Sequence, residues 1–318
     1  MSRKIRFVFN NSELGAGTYG ASLGPHAIQV AARKSESQFF SEYPIDFVHV
    51  ENNLIDLPTK FGYAKRIDGV HKVASDLVKK IESALDENSF PFVLAGDHSS
   101  AAFTLAGIRK KYPEKRIGVV WIDAHSDLHS PYTTPSGNMH GMPLAIALGV
   151  DNLEKQRNSP DQETIQYWNE LKNIGGNCPI ISPENLVFIG VRDTEEEEDF
   201  LMEKLGIKNF TVDQVHQKGA TNIVSEIHEL LSDCDILYIS FDVDSMDPDQ
   251  TSYGTGTPVK NGISVEEAKI LLNGFAKSSK TVCMEVVEVN PCLDNKVNKM
   301  AEIAFSLIES VAYTLEGK

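Results

Sequence analysis

The sequence predicts an α/β protein built on a doubly wound, mainly parallel central sheet. Three observations carry this reading. Short apolar runs recur along the chain, the runs are near-continuous rather than alternating, and segments of helical periodicity separate them. A strand covered by helices on both faces reads as a continuous apolar run, whereas a half-exposed strand alternates. Strand, helix, strand, repeated, is the signature of crossover connections in a parallel sheet.

In chain order, strands are predicted at 5–9, 46–50, 92–95, 117–122, 186–191, 236–241 and 281–287. The clearest helix carries Ile67, Val70, Val73, Leu77, Ile81 and Leu85 at three- and four-residue steps, which makes one apolar stripe. Met300, Ile303, Ala304, Leu307, Ile308 and Val311 repeat that stripe near the C-terminus. Further helices are predicted at 25–38, 99–111, 162–173, 220–232 and 264–278. The acidic run 195–199 stands between a strand and Phe200-Leu201-Met202, and reads as the solvated start of a helix, where negative charge suits the dipole. There is no internal repeat, low-complexity tract or composition shift, so one domain over residues 1–318 is expected.

Composition narrows the function. Thirty Lys plus Arg stand against 45 Asp plus Glu in 318 residues, a formal charge of −15. Phosphate backbones call for clustered cations, so nucleic acid is not an expected partner. No stretch of about 18 apolar residues is present, and the N-terminus lacks an apolar signal core. A soluble, cytoplasmic protein without membrane contact is expected. Cys178, Cys234, Cys283 and Cys292 form no CxxC pair and read as reduced structural thiols. A cysteine nucleophile has no local support.

Ligands of such sheets bind beyond the carboxyl ends of the strands. Predicted strands lead into Gly96-Asp97-His98-Ser99, Asp123-Ala124-His125-Ser126-Asp127, Asp242-Val243-Asp244-Ser245-Met246-Asp247-Pro248 and Glu288-Val289-Asn290-Pro291. One aspartate at a strand end is unremarkable, because aspartate caps helices. Two imidazoles and four carboxylates at three strand ends are a different matter: Asp123, Asp127, Asp242 and Asp244 repel one another when buried unless cations join them. Two ions sharing carboxylates use such a set better than one. Mixed His and Asp ligation suits Mn²⁺ or related ions, and paired ions acidify a shared water. The residues therefore predict a binuclear metallohydrolase. A phosphoesterase would want basic residues beside the metals, and these motifs supply carboxylates instead.

The same motifs resemble the signatures of the ureohydrolase family, which includes arginase, agmatinase and formimidoylglutamase. The likeness runs from Gly20-Ala21-Ser22-Leu23-Gly24-Pro25 to Glu288-Val289-Asn290-Pro291. It implies an arginase-like three-layer α/β/α fold with a mainly parallel central sheet, two Mn²⁺ per subunit, and hydrolysis of a guanidino-type carbon by metal-bridging hydroxide. It assigns one ion to His98, Asp123, Asp127 and Asp242, and the other to His125, Asp123, Asp242 and Asp244. Asp127 would also orient the nucleophile, Glu288 would pair with the guanidinium, Thr257 would line that end of the pocket, and His140 would move protons to the leaving amine. The resemblance further implies a homo-oligomer, trimer or hexamer.

Ser136-Gly137-Asn138-Met139-His140-Gly141 resembles the arginase form of its loop, in which Ser136 and Asn138 would bind an α-carboxylate. L-arginine, a small molecule, is thus the expected substrate, giving L-ornithine and urea. Agmatine would leave those polar groups unpartnered. Three positions depart from the arginase pattern. His129 stands in place of an asparagine, Glu195 in place of an aspartate that helps hold the α-amino group, and the 249–254 loop is one residue longer. His129 reads either as a substrate ligand or as a loop histidine facing water. These departures keep open another ureohydrolase substrate: agmatine, a guanidino acid or a formimino acid.

Overall fold

The computed structural model describes residues 3–176 and 178–318. Eight parallel strands form one sheet in the order β2-β1-β3-β8-β7-β4-β5-β6. They are β1 (Ile5–Asn10), β2 (Ile45–Phe47), β3 (Phe90–Ala95), β4 (Ile117–Ile122), β5 (Leu186–Ile189), β6 (Lys208–Phe210), β7 (Ile236–Asp242) and β8 (Thr281–Val287). Among the described residues ten α-helices accompany them: α1 (Gly24–Lys34), α2 (Ile67–Asp86), α3 (Ser100–Lys111), α4 (Pro143–Leu148), α5 (Gln162–Lys172), α6 (Glu196–Leu205), α7 (Val212–Lys218), α8 (Ala220–Leu230), α9 (Val265–Ala276) and α10 (Lys299–Glu316). None is long and apolar enough to cross a membrane.

The continuous apolar strands are explained by two cores, one on each face of the sheet. Phe7 and Phe9 of β1, Val120 and Ile122 of β4, and Ile239 and Phe241 of β7 pack with α1, α8, α9 and α10. Val8, Val119, Trp121 and Tyr238 point the other way, toward α2, α3, α4 and α5. The predicted stripe of α2 is the face that it buries, from Ile67 to Leu85. Each such Val, Leu or Ile contributes about 1.5–3 kcal/mol relative to exposure.

The differences from prediction have local causes. Strand β6 is a three-residue edge strand in which only Phe210 is buried, too short to show a pattern. All six residues of α4 are buried, so it carries no polar face and no helical period. Helix α7 opens with a reciprocal cap between Thr211 and Gln214, the Thr-x-x-Gln start signal at its plainest. Cys234 and Cys283 are buried, Cys178 and Cys292 exposed, and all four are free thiols.

Candidate metal centre and substrate pocket

The four central strands, β3, β8, β7 and β4, are neighbours, and their carboxyl ends carry the residues singled out from the sequence. Ile122 pairs with Phe241, Phe241 with Val286, and Asp242 with Val287, so the next residues of each strand lie side by side across the sheet. Gly96 follows β3 where a Cβ would collide with the backbone oxygen of Ser12. That position needs glycine for the β1 loop to close over the turn carrying His98.

His98 is the centre of the first group. Its Nδ1 lies 3.0 Å from Asp123 Oδ2, 3.1 Å from Asp127 Oδ2 and 3.2 Å from Asp242 Oδ2. That nitrogen is buried, and it makes a hydrogen bond with none of them. Nε2 lies 2.7 Å from Ser240 Oγ, and the ring stacks on Trp121 at 4.1 Å between centroids. With Nε2–H given to Ser240, Nδ1 turns its lone pair toward three carboxylate oxygens. Four acceptors facing one another form a ligand shell, and a protein alone gains nothing by building it.

His125 anchors the second group, its Nδ1 3.1 Å from Asp244 Oδ2 and 3.5 Å from Asp123 Oδ1. Asp123 therefore faces both groups, one oxygen to each. Asp242 turns Oδ2 to His98 and accepts the Asp244 N–H on Oδ1 at 2.8 Å. Asp193, not assigned from the sequence, stands 3.6 Å from His125 Nε2.

The charges agree with this geometry. Burial, reinforced by the charge of Asp123, pushes the Asp127 carboxyl up to about 6. Burial, then Asp244 and Asp123, raises Asp242 well above the usual carboxylate range, and burial also raises Asp244. Burial alone would raise Asp123 too, but the imidazoles of His125 and His98 beside it hold it down. Among the described residues no Lys or Arg lines the cavity in front of these groups. An oxygen-rich set of two imidazoles and four carboxylates, with an orphaned inward nitrogen, fits divalent cations of the Mn²⁺ kind.

Two of these side chains come from strained backbone. Asp127 has φ +53° and Glu288 φ +66°, left-handed values that non-glycine residues rarely adopt. Glu288 is 2% exposed and accepts the His98 N–H on Oε1 at 2.9 Å. The same oxygen lies 3.2 Å from His140 Nδ1. Burial would lower the His140 pKa, but the hydrogen bond and charge of Glu288 outweigh it and raise it to about 9. Glu288 thus sits one layer behind the wall that His140 forms.

The cavity itself holds about 280 Å³ and is lined by His98, His125, Asp127, His140, Asp242 and Asp244 at its metal end. Ser136, Asn138, His129, Glu195 and Thr257 line the remainder. Thr257 donates to Asp244 Oδ2 at 3.2 Å. His129 does not face water: it is 6% exposed, with Nε2 2.9 Å from Glu195 Oε2 and Nδ1 3.2 Å from Thr133 Oγ1. Nor is the acidic run uniformly solvated. Glu195 is the N-cap of α6 and forms a reciprocal cap with Glu198, which is 4% exposed. Ser126 Oγ donates to Glu198 at 2.6 Å and the Leu128 N–H at 3.2 Å. Glu198 therefore ties α6 to the loop that carries Asp123, His125 and Asp127. Its spacing from Glu195, the capping-box interval, was the available signal.

An all-parallel α/β/α sheet with this donor set at its central strand ends defines a ureohydrolase, an amidinohydrolase enzyme. The model of the Arginase family matches residues 8–313, and the chain belongs to that family. It is 34% identical to the arginase of Bacillus subtilis, over 98% of each chain, and that enzyme's crystal structure superposes with a TM-score of 0.79. The arginase of Brevibacillus brevis is 35% identical over 98% of both chains. The native structure of Bacillus caldovelox arginase is 32% identical over 98% of each chain, at a TM-score of 0.81.

Proposed function

We propose that this chain, as one catalytic domain over residues 1–318, hydrolyses L-arginine to L-ornithine and urea with two Mn²⁺ ions. The observation favouring arginine over its decarboxylated analogue is the wall of the cavity. Ser136 and Asn138 bring a hydroxyl and an amide to a pocket otherwise rich in carboxylates and imidazoles. Those groups suit a substrate carboxylate, and a substrate lacking it strands them. The family relatives, named as arginases, support the same substrate.

His98, Asp123, Asp127 and Asp242 would hold one ion, and His125, Asp123, Asp242 and Asp244 the other. The ions would supply Lewis acidity, making water a competent nucleophile near neutral pH. The side chains do the rest. Glu288 accepts N–H groups of the planar guanidinium and fixes its plane, a charge-assisted contact. His140 gives way at Glu288 as the guanidinium arrives, because both are cations competing for one carboxylate. Asp127 accepts the proton released by the attacking water. His140 or Asp127 delivers a proton to the departing amine, so that water and a guanidinium become urea and an alkylammonium. Ser136 and Asn138 donate to the carboxylate, and Glu195, held by His129, lies at the α-amino end. Thr257 steadies Asp244. By its family likeness the protein is taken as a cytoplasmic homo-oligomer, trimeric or hexameric.

Urea release from L-arginine and from agmatine, with and without Mn²⁺ preincubation, tests this. Manganese-dependent turnover favouring arginine is expected. Preference for agmatine, or equal rates without metal, overturns it.

A further inference from the structure

We infer that Lys65 is a specificity-determining residue that selects substrates carrying a carboxylate. The inference rests on the amino-acid reading of the pocket just given. Lys65 lies in the turn before α2, outside every motif the sequence singled out. Its backbone N–H donates to Gly137 O at 2.7 Å. Gly137 itself has φ +76°, and a Cβ there would strike the carbonyl of Gly62. The 62–65 turn and the 136–138 loop are therefore packed backbone to backbone, and the Lys65 side chain is delivered to Asn138.

The contact that results is directional. Lys65 Nζ donates to Asn138 Oδ1 at 3.1 Å. An ammonium has three donors and no acceptor, so Asn138 can meet it only with its oxygen. Its NH₂ group is then turned away from Lys65, to the side of Gly17 and of His140, a residue that lines the substrate cavity, and is left as a donor. Without a cation there, the amide could rotate and offer an acceptor, which would repel a carboxylate. Lys65 thus fixes the sense of Asn138 as well as adding charge.

That charge is available. Among the described residues the partner found for Lys65 Nζ is the neutral amide of Asn138, although the neighbouring cavity is lined by Asp127, Asp193, Glu195, Glu198, Asp242 and Asp244. A substrate anion entering so acidic a pocket needs a positive partner. A second cavity of about 170 Å³, lined by Lys65 and Arg66, shares Asn138 as its wall with the first. Arg66 is spent on the carbonyls of Leu54 and Ile55, which leaves Lys65 as the cation at that wall.

The test compares Lys65→Gln and Lys65→Arg with the parent enzyme, Mn²⁺-loaded. For Lys65→Gln, KM for L-arginine should rise about ten-fold with kcat held within about two-fold. The arginine-to-agmatine ratio of kcat/KM should fall by the same factor, and Lys65→Arg should restore most of it. Calorimetric binding of L-ornithine against putrescine, which differ only in the carboxylate, reads the same preference without turnover. Unchanged L-ornithine affinity in Lys65→Gln overturns the inference. So does an equal loss on both substrates accompanied by a lowered melting temperature, the mark of a structural role. Failure of the arginine reading is separate, since the parent enzyme itself would then show no preference for the carboxylate-bearing partner.

Discussion

Replacing Glu288 by Gln changes one atom's chemistry at the guanidinium end, and its effect can be worked from the contacts. Oε1 of Glu288 accepts the His98 N–H at 2.9 Å and faces His140 at 3.2 Å, so an amide at this position keeps its oxygen there. The NH₂ group then takes the place of Oε2, beside Gly256. A guanidinium has donors only, so it meets a donor where it had met a carboxylate oxygen. Two charge-assisted bonds at about 1.5–3 kcal/mol each are at stake, of which the neutral amide recovers a part. A net loss of about 3–4 kcal/mol corresponds to about 10²–10³-fold in kcat/KM. The assay is steady-state urea release, with metal content measured on the same sample. Both side chains tolerate φ +66° equally, and the buried His98 contact persists, so neither folding nor metal content should change. A loss below about five-fold with metal intact would refute the role of Glu288 as the guanidinium's partner.

Other substitutions probe the remaining parts. Asp242→Asn removes a charge shared by both groups of ligands, and should lower the bound metal and cut activity by orders of magnitude; two ions and full rate in this variant would sink the ligand assignment. Chelation should lower the melting temperature, and the sign with pH follows from Asp127. Its folded pKa of about 6 lies above the usual 3.8, so the metal-free penalty is full above pH 6 and relieved as the carboxyl protonates toward pH 4. The chelated protein should accordingly lose more stability at pH 8 than at pH 5, as denaturant titration will show. His140, raised from 6.5 to about 9 by Glu288, contributes stability fully present below pH 6.5 and lost as pH rises through 9. The stability gap between the parent and His140→Asn should shrink across that window, and KM for a guanidinium substrate should fall in the parent as His140 releases Glu288. Finally, His129→Ala leaves Glu195 and the buried Glu198 without their cation and should cost about 1–3 kcal/mol in unfolding free energy.

Much of this was legible in the sequence because buried parallel strands have a loud signature and their ends carry the chemistry. His98, Asp123, His125, Asp127, Asp242 and Asp244 follow three apolar runs directly, and the sheet order gathers those runs at its centre, β7 beside β4 and β3 one strand away across β8. What stayed hidden depends on long-range packing. Nothing local reveals that Glu198 is buried beneath Ser126, 72 residues earlier in the chain, or that His129 turns inward to Glu195. The withdrawal of Glu288 behind His140 is likewise a matter of two loops meeting. Helix α4 was silent for the opposite reason: wholly enclosed, it has no polar face to set a period.

The sheet order bears on how the molecule is made. Strand β8, the last in the chain, occupies a middle slot, flanked by β3 and β7. Until residues 281–287 leave the ribosome, β2-β1-β3 and β7-β4-β5-β6 are two half-sheets with facing unpaired edges. The ligand set is split between them, with His98 on one half and all four aspartates on the other. Joining requires contacts across nearly two hundred residues, a slow step that exposes edges prone to self-association. Late insertion of one strand thus completes the sheet, the ligand shell and the guanidinium pocket in a single event, so capture of metal would report that β8 has taken its place.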